Sequence, residues 1–178
     1  MKQSDQRKTK SAGRSIPKPP TAHGPMNPEQ IKLLRTSFAM VEPHAHVAAL
    51  VFYRNLFALD PSLRPLFHTS IELQGRKLME ALAYTVASLE NPEALLPTLE
   101  AMGRRHVAYG AREEHYATVI QAMMLTLEET LAVAFTREIR AIWQQALELV
   151  ADAMKRGAAS VKIQNYKAIP EHLGKRQK

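Results

Sequence analysis

The chain has no cysteine, a single tryptophan and only seven glycines in 178 residues. Without cysteine, disulfides, thiolate metal sites and a cysteine nucleophile are excluded. Sparse glycine leaves little turn chemistry for a β-rich fold, and no segment alternates apolar and polar residues between turn signals as a strand would. No stretch reads as the run of about 20 apolar residues that spans a bilayer. The basic first residues run into Ser11-Ala-Gly-Arg-Ser-Ile-Pro-Lys-Pro-Pro20 without the apolar core of a signal peptide, so the cytoplasm is the expected compartment. A glycine-rich dinucleotide fingerprint after a strand is also missing, and the length leaves no room for a second enzymatic domain.

What is present suits one globular domain. The hydrophobic content of 46% supports a real core, and the net charge of +7 is unevenly spread. Residues 1 to 26 hold six bases against Asp5, and residues 155 to 178 hold seven against Glu171, which leaves the middle at −4. An acidic body therefore carries two basic ends. The sequence divides into a disordered basic extension over residues 1–25, a folded domain over 26–157 and a basic tail over 158–178. Solvated tails are the commoner case for such segments, with contact to an acidic protein, nucleic acid or anionic lipid as the alternative.

The folded part opens at Asn27-Pro-Glu-Gln30, which supplies an N-cap, a proline at the first helical position and a glutamine that can close a capping box. A helix to about Val41 follows, then one from Pro43 that puts Tyr53 and Phe57 on a shared face. Asp60-Pro-Ser-Leu63 reads as a turn or short 3₁₀ piece, leaving Phe67 in a connection. Gln74, Leu78, Met79, Leu82 and Val86 recur at three and four residues along a helix from about Ile71 to Leu89. Asn91-Pro92-Glu93 repeats the cap and proline and starts the helix that carries Met102 and His106, with Gly110 placed to end it. Two long helices remain, about 113–134 and 137–156, the second opened by Thr136 and closed by Gly157. The fold class is all-α with six or more helices, and their unequal lengths and the short corner near Pro61 suit a globin-like packing.

His106 lies on a helix downstream of two polar residues in apolar surroundings, Tyr53 and Gln74. A neutral imidazole is a standard axial ligand of haem iron, and a phenol with an amide on the opposite face can hydrogen-bond a diatomic gas. Taken alone, a helical histidine is more often a satisfied surface or core residue. His44, His46, His68 and His115 read as such residues.

Longer motifs decide between these readings. Val51-Phe-Tyr-Arg-Asn-Leu-Phe57, Arg64-Pro-Leu-Phe67, Gln74-Gly-Arg-Lys-Leu78, Leu96-Pro-Thr-Leu99, Gly103-Arg-Arg-His106, Tyr109-Gly110 and Glu114-His-Tyr116 resemble the single-domain bacterial globins. These are related to the globin half of flavohaemoglobins, and the likeness is greatest to the Hell's Gate globin type. It runs from about Pro28 to Lys155, and the separations of 21 residues from Tyr53 to Gln74 and 32 from Gln74 to His106 agree with it. The resemblance implies a haem b cofactor with His106 as the iron ligand and Tyr53 and Gln74 as the distal pair that acts on the bound gas. It implies that Phe67 stacks on the haem, that Leu78, Met102, Tyr116 and Val119 line the pocket, and that Lys77 and Arg105 neutralise the propionates.

One departure qualifies it. In flavohaemoglobins the tyrosine at the position of Tyr116 works with a glutamate late in the last helix to polarise the proximal histidine. Ala151-Asp-Ala-Met-Lys-Arg-Gly-Ala-Ala159 has no glutamate, and Asp152 comes more than a turn too early, so the electron push behind O–O bond cleavage is in doubt. The implied function is tight oxygen binding with nitric oxide detoxification, the electrons coming from an external reductase to which the basic tails could dock. The alternative is oxygen storage or gas sensing without turnover.

Overall fold

A computed structural model describes residues 26–167, and all its regular structure is helical. Six α-helices follow in order: α1 (Pro28–Val41), α2 (Ala45–Leu59), α3 (Ile71–Ser88), α4 (Pro92–Ala108), α5 (His115–Leu131) and α6 (Arg137–Lys167). Short 3₁₀ helices at Glu42–His44, Pro61–Leu66 and Ala132–Ala134 join α1 to α2, α2 to α3 and α5 to α6. The extension over 1–25 and the tail beyond 167 lie outside the described residues.

Local chemistry accounts for most boundaries. Asn27 and Gln30 close the capping box, each backbone N–H donating to the other's side chain at 2.9 Å. Ser70 and Asn91 cap α3 and α4 in the same manner through their side-chain oxygens. Gly110 ends the α4 segment at φ +85°, a left-handed conformation that glycine adopts without a steric penalty, and its N–H donates to the Val107 carbonyl. Glu42–His44 takes the tighter 3₁₀ form, so α2 starts at Ala45 rather than at Pro43.

The end of α6 departs from expectation. Gly157 does not terminate this helix, which continues to Lys167, and the division expected at 157 between domain and tail falls inside it. The physical reason is tertiary: Gly157 is buried at the crossing of α6 with α4, where its missing side chain lets the two backbones meet. A second departure concerns α5. The segment His115–Ala134, with mean hydropathy 1.3, is long and apolar enough to cross a membrane by length and composition, although the sequence reading found no such stretch. Within the fold one face of it enters the core, with Ala122, Met123, Met124, Thr126, Leu127 and Leu131 buried, while Val119, Leu125 and Val133 are exposed.

The core gathers Leu34 and Phe38 of α1, Phe52 and Leu56 of α2, Leu95 and Leu99 of α4, Leu127 of α5 and Trp143 of α6. Trp143 donates its indole N–H to Ser37 Oγ at 2.9 Å, and Ser37 donates to the Leu34 carbonyl, so these buried polar groups are satisfied where α6 crosses α1. The most extensive helix pairing is α4 with α6, followed by α2 with α5 and with α3. By contrast α3 and α4 make little contact, although they are consecutive. Each rests on a different partner, α3 on α2 and α4 on α6.

Candidate functional site

His106 stands in the last turn of α4, half-buried, with Nδ1 2.8 Å from the carbonyl oxygen of Met102 one turn earlier. Burial holds its pKa below the usual histidine value, the Met102 carbonyl opposing that effect and neighbouring Arg105 adding to it. The ring is therefore neutral near pH 7. A neutral imidazole whose Nδ1–H is donated to a carbonyl carries its free lone pair on Nε2, the tautomer a metal ligand needs. Tyr109 meets the ring edge to face, with centroids 5.9 Å apart, and is itself exposed.

Tyr53 comes from α2 and is buried among aromatic rings. Phe52 and Phe67 meet it edge-on at 5.1 and 5.3 Å, and Phe57 lies tilted at 5.8 Å. Phe67 also meets Phe57 at 5.5 Å, while the Arg64 guanidinium covers the Phe57 ring at 4.6 Å. Loss of water pushes the Tyr53 hydroxyl up to about 12, so it keeps its proton across the biological range. No hydrogen bond to this hydroxyl is found among the described residues.

The other expected residues are arranged less uniformly. Gln74, in the first turn of α3, is half-buried, and its amide nitrogen donates to the Thr69 hydroxyl at 2.7 Å. Leu78 and Met102 are half-buried and packed against the core. Val119 is 36% exposed on α5 and stands at the margin of that packing. Lys77 and Arg105 are exposed and form no ion pair among the described residues. Tyr116 presents a buried hydroxyl with no partner, and the Lys155 ammonium lies 5.9 Å from its ring centroid. Burial raises the Tyr116 pKa as well.

Two hollows are found among the described residues. One of about 220 Å³ lies between α2 and α3, lined in part by Ala49, Leu50, Ile71, Gly75 and Met79. The other, a groove of about 710 Å³, runs between α5 and α6 past Ile120, Met124, Ala141 and Lys155. Neither is lined by Tyr53, Phe67 or His106. We place the site by chemistry rather than by hollow size, because the perturbed imidazole and phenol lie apart from both. Half-buried Leu66, Phe67, Leu78, Leu82 and Met102 pack against the core, and the chemistry of the donors, an imidazole nitrogen from His106 and a phenol proton from Tyr53, is of the kind a haem and its gas ligand take. The role of the Met102 carbonyl was not legible in the sequence, because backbone groups leave no signal in residue type.

The sequence profile of the family described as Globin matches residues 50–154. The flavohaemoprotein of Bordetella parapertussis is 30% identical over 133 residues, covering 72% of this chain and 33% of its own length. That of Rhizobium meliloti is 27% identical over 146 residues, 80% of this chain and 35% of its own. The chain thus spans about a third of the length of these relatives. Among solved structures, an engineered carbene transferase made from a putative nitric oxide dioxygenase of Rhodothermus marinus superposes with a TM-score of 0.71 at 26% identity, over 79% of this chain and 99% of that one. A hexacoordinated haem protein from an anhydrobiotic tardigrade gives the same TM-score at 20% identity, over 76% and 96%, which speaks to the fold alone.

Proposed function

Because the chain belongs to the globin family, is related to bacterial flavohaemoproteins and takes haem as its cofactor, we propose that it binds oxygen tightly and uses it to convert nitric oxide to nitrate. What supports this reading is a neutral His106 oriented by the Met102 carbonyl and, on α2, a buried Tyr53 that keeps its proton. Haem, when bound, would supply a centre that takes up a diatomic gas and exchanges electrons.

The residues then divide the work. His106 would hold the iron through Nε2, and Tyr53 would offer its hydroxyl proton to a gas taken up there. A hydrogen bond to a charged acceptor in a dry pocket is worth about 1.5 to 3 kcal/mol, enough to slow gas release by one to two orders of magnitude. Gln74 adds to this when its amide turns from Thr69 into the site. Phe67, Leu78, Met102, Tyr116 and Val119 keep water from the reacting gas, and Lys77 and Arg105 meet the propionates. We assign the electron supply to a reductase separate from these 178 residues, with the basic ends of the chain as its docking points.

The test is a single turnover in which the oxygenated protein is mixed with nitric oxide. Stoichiometric nitrate and oxidised haem within milliseconds support the proposal, and slow decay without nitrate removes it. A second reading, reversible oxygen storage or sensing, draws support from the unpartnered Tyr116 hydroxyl. Without an acid to polarise it, Tyr116 cannot pass negative charge toward His106, and electron push is weakened.

A further inference from the structure

Two glycines on facing helices touch the opposite backbone reciprocally. A Cβ at Gly103 of α4 would lie 1.9 Å from the Met154 carbonyl oxygen, and one at Gly157 of α6 would lie 1.9 Å from the Glu100 carbonyl oxygen. The partner numbers run in opposite directions, so the helices cross antiparallel along this stretch. Arg156 and Glu100 add an ion pair at the same crossing, 3.2 Å between Nε and Oε1. No rotamer relieves a clash with backbone. An alanine at either glycine must drive the helices apart by about 1.5 Å before its Cβ and the facing oxygen reach ordinary contact.

His106 follows Gly103 by three residues on α4, so the crossing and the imidazole are less than one helical turn apart. The carbonyl that accepts from Nδ1 belongs to Met102, and the other half of that peptide unit is the nitrogen of Gly103. One peptide plane therefore orients the imidazole and adjoins the Cα that rests on α6. Since α4 leans chiefly on α6 and hardly on α3, nothing else of comparable extent sets its depth.

We infer that Gly103 and Gly157 are positioning residues for His106: the glycine-to-backbone crossing of α4 and α6 sets how deep the imidazole stands in the pocket and where its Nε2 points. The inference rests on His106 being the iron ligand, as proposed above. It gives Gly157 a part in the site although its own contact is a turn further from His106 than that of Gly103.

The ferrous iron–histidine stretching band of the haem-bound full-length protein, read by resonance Raman, reports this placement. Gly103→Ala and Gly157→Ala are compared with Leu34→Ala, a core truncation on α1 that lowers stability without touching the crossing. Both glycine variants should shift the band and speed haem loss to an acceptor protein by about 10- to 100-fold, the range seen when the support of a metal ligand is disturbed. Leu34→Ala should leave the band where it is. Gly157→Ala is the variant most certain to fold, because only the last ten residues of α6 follow it and that end can bend away. An unshifted band in Gly157→Ala at reduced thermal stability would show the glycines to be packing sites only and overturn the inference. A band that persists in His106→Ala would instead sink the ligand assignment, so the two failures are distinct.

Discussion

The amide nitrogen of Gln74 donates to the Thr69 hydroxyl at 2.7 Å, across the start of α3. The two groups proposed to act on the bound gas are therefore unequal: the Tyr53 phenol is buried and keeps its proton, and the Gln74 amide is engaged. Tyr53→Phe should raise the oxygen dissociation rate by about 10- to 100-fold, the worth of one hydrogen bond to a charged acceptor, and Gln74→Leu by less. Thr69→Val, which releases the amide, should slow dissociation. Displacement of oxygen by carbon monoxide in a stopped-flow instrument measures all three, and equal rates in Tyr53→Phe and wild type would remove the phenol from the site.

The Tyr53 shift also predicts an alkaline effect on stability. Burial raises the folded-state pKa to about 12, whereas the unfolded phenol titrates near the usual 10. Between these values the folded chain holds the proton and the unfolded chain has released it, so stability falls as pH rises through the window. Below about pH 10 both states are neutral and the group contributes nothing. Tyr53→Phe should therefore lose about 2 kcal/mol less than wild type between pH 10 and 12 in urea unfolding. Parallel curves would mean that the phenol ionises freely in the folded protein.

Ala132 joins α5 to α6 at φ 47° and ψ −119°, a conformation that strains any residue with a Cβ. Glycine relieves that strain at the cost of greater unfolded-chain entropy, and the net gain of Ala132→Gly should be about 1 kcal/mol. A rise in Tm of about 2 to 6 °C with unchanged haem spectra is expected. A lower Tm would show that the turn tolerates alanine.

Removal of residues 1–25 and 168–178 keeps α6 whole, which a cut at Gly157 would not. It should leave the haem spectrum unchanged and abolish salt-sensitive association with an acidic reductase, because it removes net positive charge at both ends. Binding that survives the truncation, measured by calorimetry at low and high salt, would show the tails to be inert.

Much of the fold was legible in the chain because its signals are local. The Asn27–Gln30 box, the prolines at helix starts and the left-handed Gly110 each depend on a few neighbouring residues, and apolar residues at three and four apart need only the helical repeat. Motif spacing implies that Tyr53, Gln74 and His106 serve one site, and the spacing is all that the sequence offers for it. What the tertiary structure alone decided involves atoms far apart in sequence or devoid of side-chain identity. Gly157 reads as a helix stop by residue type, yet it lies inside α6 because the Glu100 carbonyl occupies the place of its side chain. The Gln74 amide bonds Thr69 and the Tyr116 hydroxyl is left without a partner, outcomes set by which groups the packed helices bring within reach. Residue type determines what a helix can do at its ends, whereas the distance between two helices is settled only when both backbones are in place.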